Sequence, residues 1–265
     1  MFRRINMRIE REKLLKMARD LRPVMADRER AGHARAKGEK DYVTEVDLQV
    51  QSRVTQQLQS WYPQVQMLAE EKDNAAVDTS GDYWILDPVD GTSNLMHDFH
   101  HSALSLGYCE EGELEFGMIY NPFTDELFWA QRGKGAFLND DPIHVSDRKT
   151  LEESLILFGT CPYHRERSAE DFELFRRVFL RSQDVRRLGS AALDLAYIAC
   201  GRSDLFFERD LKPWDYAAGL ILVEEAGGIV TDYCRKRPDL RGNSDIVAGN
   251  GITEQLFFRD FGDAL

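Results

Sequence analysis

Between Tyr83 and Thr92 the chain reads Tyr-Trp-Ile-Leu-Asp-Pro-Val-Asp-Gly-Thr, an apolar run that ends in two carboxylates three residues apart. Large apolar side chains from Tyr83 to Leu86 predict a buried strand. Pro88 is predicted to stop that strand, which leaves Asp87 and Asp90 in the loop where a sheet presents its ligands. Gly91 gives the backbone room to approach an anion, and Thr92 offers a hydroxyl beside free amides. This is the local chemistry of a site that holds metal ions against a phosphate. An Asp-Pro-x-Asp-Gly turn is also ordinary punctuation, so the motif alone leaves both readings open.

Two further segments favour a site. Met67-Leu68-Ala69-Glu70-Glu71 is a short apolar run ending in paired acids, as a strand would end above the same place. In Lys212-Pro213-Trp214-Asp215-Tyr216-Ala217-Ala218-Gly219, Asp215 opens an apolar helix that closes with Glu224-Glu225-Ala226-Gly227-Gly228. With Asp41-Tyr42-Val43-Thr44-Glu45-Val46-Asp47 upstream, these segments resemble the inositol monophosphatase family of magnesium-dependent, lithium-sensitive phosphatases. The resemblance extends over nearly the whole chain. It includes Arg132-Gly133-Lys134-Gly135-Ala136-Phe137 with Asn139, Gly189-Ser190-Ala191-Ala192, and Glu208 seven residues before Asp215.

The resemblance implies roles residue by residue. Glu70, Asp87 and the Val89 carbonyl match a first metal site, and Asp87, Asp90 and Asp215 a second, for two or three Mg²⁺ ions in all. Glu70 would also orient a further ion and the attacking water. Thr92 matches the hydroxyl that hydrogen-bonds this water, and Asp47 the carboxylate that accepts from the threonine. The Gly91 and Thr92 amides would hold the phosphate. Glu208 matches an acceptor for substrate hydroxyls, and Gly189, Ser190 and Ala191 a helix start on the substrate side. Lys37 stands either near the phosphate or as an ordinary solvated lysine, and Arg187 either near the substrate or in a fold-internal salt bridge. Ala69 departs from a usual glycine and Leu95 from a frequent aromatic residue, and neither removes a ligand.

The chain has 265 residues, 43% of them hydrophobic, enough for a large core. Its formal net charge of −12 argues against a nucleic-acid or anionic-membrane surface. A phosphate substrate stays compatible, because bound cations reverse the sign of an acidic site locally. Cys109, Cys161, Cys200 and Cys234 show no Cys-x-x-Cys spacing and read as reduced, mostly buried thiols of a cytoplasmic protein. The amino terminus from Met1 to Lys16 is basic but lacks the apolar stretch of a signal peptide, and no run approaches the roughly 20 apolar residues of a membrane span.

Helical patterns run from Glu10 to Ala31, interrupted near Pro23, and from Glu45 to Trp61, with a flexible Gly/Lys-rich loop from Gly32 to Lys40 between them. Ser102 to Trp129 reads as strands joined by turns. Strands and helices then alternate: Leu155 to Phe158, Ala169 to Leu180, Val185 to Arg187, Ala191 to Cys200, Leu205 to Phe207, Tyr216 to Ala226, and Ile246 to Ala248. The class is mixed α/β (α+β). Polar joints near Asn139 to Glu152 suggest an amino-terminal lobe over residues 1–145 and a carboxy-terminal lobe over 146–265. Family resemblance implies a layered αβαβα sandwich with the site between the lobes, and a homodimer.

Competing motifs fail on their own chemistry. His97, His100 and His101 crowd after the metal motif, as zinc ligands would, but the resembled family has no required histidine there. Cys161-Pro162-Tyr163-His164 invites a Cys–His nucleophile, yet no oxyanion element lies near it. The haloacid-dehalogenase phosphatases need a nucleophilic aspartate two residues before Asp90, where Pro88 stands. A calcium loop with alternating oxygen ligands over about twelve residues is absent around Asp87. Expected partners are a small phosphomonoester, with inositol 1-phosphate leading, and neither nucleic acid nor membrane. Fructose 1,6-bisphosphate, NADP and phosphoadenosine phosphate remain open as substrates, and a macromolecule-binding protein on the same fold remains the alternative of another class.

Overall fold

The computed structural model describes residues 9–38, 41–161 and 164–265. The first half of the basic amino-terminal stretch, the end of the Gly/Lys-rich segment, and Pro162 and Tyr163 therefore lie outside the described residues. In chain order the elements are α1 (Arg11–Asp20), α2 (Arg22–Met25), α3 (Arg28–Gly32), β1 (Ala34–Gly38), β2 (Asp41–Thr44) and α4 (Glu45–Trp61). There follow β3 (Gln66–Ala69), β4 (Tyr83–Asp90), α5 (Thr92–Met96), β5 (Ala103–Glu110), β6 (Glu113–Asn121), β7 (Glu126–Gln131), β8 (Gly135–Leu138) and β9 (Asp141–Ile143). The remainder comprises β10 (Leu155–Phe158), α6 (Ser168–Phe179), β11 (Asp184–Arg186), α7 (Ala191–Ala199), β12 (Leu205–Leu211), α8 (Pro213–Glu225), β13 (Ile229–Thr231), β14 (Ser244–Gly249) and α9 (Thr253–Phe261).

Seven strands, β3 to β9 in sequence order, form one sheet, and five form another in the order β11-β10-β12-β14-β13. The first sheet is antiparallel except where β3 runs parallel to β4. The apolar clusters define the layers. Leu14, Val50, Val54 and Leu58 of α1 and α4 pack on Trp84, Leu106 and Met118 on one face of the first sheet. Its other face, with Ile85 and Ile119, packs on Leu195 of α7 and Leu220 of α8, which also cover Phe206 and Ala248 of the second sheet. Leu174 of α6 and Phe257 of α9 close the far face of that sheet over Ile156 and Phe207. The stack is the αβαβα sandwich, with α7 and α8 as its buried central layer. Apart from Asp194 and the acids at the two ends of α8, both helices carry apolar side chains on every face, as a doubly covered layer requires. At Gly117 of β6 an added Cβ would stand 2.6 Å from Ile221 and 2.8 Å from the Ala218 carbonyl, so α8 reaches the sheet only over glycine.

Local signals place α4 between Glu45 and Trp61 as expected, because Thr44 and Asp47 form a capping box at its start. Three expectations change. Pro88 does not stop the strand: β4 continues to Asp90, with its register against β5 shifted between Asp87 and Asp90. A bulge takes up the missing donor of proline and keeps both aspartates in the ladder. The predicted loop after Gly32 is a strand from Ala34 to Gly38 that pairs antiparallel with β2; its side chains are mostly exposed, so no apolar alternation announced it. The cysteines are less buried than expected, with Cys109 buried, Cys161 and Cys200 partly so and Cys234 exposed, and none is in a disulfide. Among the described residues no helix is long and apolar enough to cross a membrane.

Candidate active site

The carboxyl-terminal ends of β3 and β4 and the first turn of α8 converge. Asp87, Asp90 and Asp215 each place one carboxylate oxygen within 4.8 Å of the others. They form the floor of a cavity of about 190 Å³ whose walls include Glu70, Gly91, Thr92, Arg187, Gly189 and Glu208. Asp87 is 2% exposed, and its Oδ1 accepts from the Val89 amide at 2.9 Å. Burial pushes its carboxyl well above the usual range, and the charges of Glu70, Asp90 and Asp215 push the same way. Asp215, at the third position of α8, accepts from the Lys212 amide at 2.8 Å and is likewise held well above its ordinary value by burial and by Asp90.

Asp90 reaches across to the second sheet's helix layer. Its Oδ2 accepts from Ser190 Oγ at 2.5 Å and from the Ala192 amide at 2.7 Å. Burial raises its pKa to about 6, and these hydrogen bonds restrain the rise. Ser190, expected on the substrate side, is 1% exposed and turns its hydroxyl to Asp90, while Gly189 and Ala191 face the cavity. Asn94 ties the two segments together, donating from Nδ2 to the His101 carbonyl at 2.7 Å and the Leu188 carbonyl at 2.8 Å.

Thr92 opens α5 behind Gly91, whose φ of 90° lies in the left-handed region open to glycine. Thr92 Oγ1 donates towards Asp47 Oδ1 at 3.0 Å and lies 3.1 Å from the Val89 carbonyl. The capping box fixes the other oxygen of Asp47, which accepts from the Thr44 amide at 2.9 Å and from the Thr44 hydroxyl. Burial raises the Asp47 pKa against these hydrogen bonds.

Glu70 is pushed up to about 7 by burial, with the charge of Lys37 opposing. Lys37 Nζ lies 2.8 Å from Glu70 Oε1 and 2.5 Å from Glu71 Oε1, so it is an ion-paired lysine at the edge of the carboxylates. Burial alone would lower its pKa, but the two glutamates outweigh burial and raise it. Across the cavity, burial pushes Glu208 up to about 8, with Arg187 opposing. Arg187 donates to Thr160 Oγ1 at 3.1 Å and lines the cavity, where its charge acts on the buried carboxyls of Glu208 and Asp90.

Other motifs have structural duties. The turn of Arg132 to Gly135 is clamped by the end of α8: Arg132 pairs with Glu224 at 3.1 Å, and the Gly133 and Gly135 amides donate to Glu225 at 3.0 and 2.9 Å. His97 and His100 are exposed, and none of the three crowded histidines joins a metal-binding group among the described residues. Burial lowers His101 to about 4, so it is neutral. Two features escaped sequence reasoning. Asp194, buried on α7 beside Glu208 and Asp90, was legible as the one acid within the apolar Ala191–Ala199 run. Gly159 had no local signal; a Cβ there would lie 1.8 Å from the Glu208 carboxyl carbon, so its absence makes the seat for that group.

Buried carboxylates on strand ends, facing a cavity with a helix start on one side and the Glu208 carboxyl on the other, suit a metal-dependent phosphoric monoester hydrolase. The model of the inositol monophosphatase family matches residues 6–264. An inositol-1-monophosphatase of Rhizobium meliloti is 41% identical over 81% of this chain and 80% of its own. A protein of Xylella fastidiosa named Nus factor SuhB is 39% identical over 82% of this chain and 80% of its own. Among solved structures, the Thermotoga maritima IMPase superposes with a TM-score of 0.85 at 31% identity, covering 96% of both chains. An IMPase/NADP phosphatase complexed with Mg²⁺ and phosphate does so with a TM-score of 0.83 at 25% identity, covering 95% of this chain and 94% of that one. The chain belongs to the inositol monophosphatase family.

Proposed function

We propose that this protein hydrolyses small polyol monophosphates, with inositol 1-phosphate as the leading substrate, using Mg²⁺ held by Glu70, Asp87, the Val89 carbonyl, Asp90 and Asp215. The observation that carries the reading is the trio Asp87, Asp90 and Asp215, one fully buried and two more accessible carboxylates close together on a cavity floor. An all-oxygen donor set with accumulated negative charge suits a hard divalent cation. When bound, two or three such ions supply Lewis-acid polarisation of the phosphate and a water of lowered pKa. Thr92 donates a hydrogen bond to Asp47 and so turns an oxygen lone pair towards the water that attacks the phosphorus. Asp47, fixed by the Thr44 cap, keeps that proton placed. The Gly91 and Thr92 amides orient phosphate oxygens, and Lys37, beside Glu70, adds a positive charge at the edge of the carboxylates. Glu208, with Gly189 and Ala191 opposite, accepts hydroxyls of the polyol.

In the same proposal residues 1–145 form the lobe with most metal ligands and residues 146–265 the lobe with Asp215 and the substrate side. Lithium sensitivity, a homodimer and a cytoplasmic location accompany it by family resemblance. Relatives named inositol-1-monophosphatase and Nus factor SuhB are about equally similar, so identity does not separate a hydrolase from a binding protein on this fold. The complete set of Asp47, Glu70, Asp87, Asp90, Thr92 and Asp215 favours the hydrolase. The test is phosphate release with Mg²⁺ from inositol 1-phosphate, fructose 1,6-bisphosphate, NADP and phosphoadenosine phosphate, each with and without EDTA. EDTA-sensitive preference for inositol 1-phosphate is expected, and no release from any of them would overturn the reading.

A further inference from the structure

We propose that Cys161, His164 and Asp210 form a binding site for one thiophilic divalent cation of the zinc class, at the mouth of the cavity and distinct from the carboxylate cluster. One ligand atom from each of the three lies within 4.8 Å of the other two. The donor set is sulfur, imidazole nitrogen and carboxylate oxygen, which suits zinc, whereas the all-oxygen floor of the cavity suits magnesium.

The spacing of the nitrogen and oxygen donors and the surroundings of the histidine both fit. His164 Nε2 lies 3.4 Å from Asp210 Oδ2. That is longer than a good N–H···O hydrogen bond. It matches the edge of about 3.3–3.5 Å between a nitrogen and an oxygen ligand on a tetrahedral zinc with bonds of about 2.0–2.2 Å. The other ring nitrogen, Nδ1, lies 3.0 Å from Glu166 Oε1. A carboxylate there fixes the imidazole so that Nε2 presents its lone pair to the site, the outer partner that zinc-binding histidines commonly have.

Asp210 is aimed by the backbone. Pairing of β12 with β14 shifts register between Glu208 and Leu211, and Asp210 within that bulge has φ 54°. The Asp210 amide donates to Asp245 Oδ1 at 3.0 Å, and Asn243 Nδ2 donates to Asp210 Oδ1 at 2.7 Å, which leaves Oδ2 for His164 and the ion. A thiolate and a carboxylate offset the double positive charge. Three protein ligands leave a fourth position. Cys161 and Asp210 both line the cavity, so that position lies on its rim and an ion bound there narrows the mouth.

The experiment is a Co²⁺ titration of the whole protein held in saturating Mg²⁺, followed by the thiolate-to-cobalt charge-transfer absorption. One equivalent is expected to give the band, and Zn²⁺ to displace it. The band is expected to vanish in Cys161→Ser and to persist in Cys234→Ser, which alters an exposed thiol elsewhere. Glu166→Gln, on the surface, is expected to weaken Co²⁺ binding by about 10–100-fold. Absence of a thiolate band, its survival in Cys161→Ser, or unchanged affinity in Glu166→Gln would each overturn the site.

Discussion

Ser190 Oγ stands 2.5 Å from Asp90 Oδ2, a contact between residues one hundred positions apart that joins the end of the first sheet's site strand to the start of α7. The same serine hydroxyl caps α7, accepting from the Leu193 amide at 3.4 Å. Ser190→Ala removes a cap and a hydrogen bond to a buried carboxylate, each a recognised source of stability. The expected loss is about 1–3 kcal/mol in denaturant unfolding. Mg²⁺ half-saturation is expected to rise as well, because the Asp90 carboxylate keeps the Ala192 amide but loses the hydroxyl that fixes it. Unchanged stability and unchanged metal dependence together would show that the contact does not hold Asp90.

Gly159 and Glu208 make a specificity prediction. Gly159→Ala places a Cβ 1.8 Å from the Glu208 carboxyl carbon and 1.9 Å from one of its oxygens. The carboxyl must leave its seat, while the carboxylate floor is untouched. The expected result is a KM for inositol 1-phosphate raised several-fold, with hydrolysis of p-nitrophenyl phosphate, which lacks polyol hydroxyls, nearly unaltered. Equal losses on both substrates would place Gly159 in the fold alone.

The legible parts of this molecule were those set by neighbours in sequence. The helical pattern from Glu45 to Trp61 matched α4, and Asp215 after Lys212-Pro213 marked the start of α8. The Asp87 and Asp90 pair was readable as two carboxylates presented together. What the proline does to the strand was not, since the bulge depends on pairing with β5. The Gly159 seat, the Ser190 contact and the Thr160 partner of Arg187 join segments far apart, where no local pattern exists. By contrast α9 carries a local signal beyond the elements expected from sequence: Phe257, Phe258 and Phe261 are all buried on it.

Buried carboxyls with raised pKa values give the metal-free protein an inverted pH dependence. Folding raises Glu208 to about 8, Glu70 to about 7 and Asp90 to about 6, from ordinary values of 4.5, 4.5 and 3.8. A group whose folded pKa is raised holds its proton better when folded. Its contribution is full below the unfolded value and is lost as pH climbs through the folded one. In EDTA, the melting temperature should therefore fall from about pH 5 to about pH 8, and Mg²⁺ should reverse the fall by binding only the folded state. Glu208→Gln should remove the upper part of the slope. A melting temperature in EDTA that is flat or rising over that window would contradict the burial of these charges.

Thr92→Ala and Asp90→Asn separate two kinds of loss. Thr92 Oγ1 lies 3.0 Å from Asp47 and 3.1 Å from the Val89 carbonyl and touches none of the carboxylates proposed to hold the cation, so its removal deletes no proposed cation donor. Turnover is expected to fall about a hundredfold or more, as for loss of a group that places a reacting proton, with KM nearly unchanged. A defect confined to KM would remove Thr92 from the water-orienting role. Asp90→Asn keeps the shape and the acceptor for Ser190 but deletes a charge from a floor where Asp87, Asp90 and Asp215 repel one another. Its metal-free form is expected to melt no lower than the parent, while turnover falls by orders of magnitude and Mg²⁺ no longer stabilises the fold to the same degree. Near-normal turnover in Asp90→Asn would defeat the metal assignment. A collapse of the fold in EDTA would instead show that this aspartate serves packing rather than the cation.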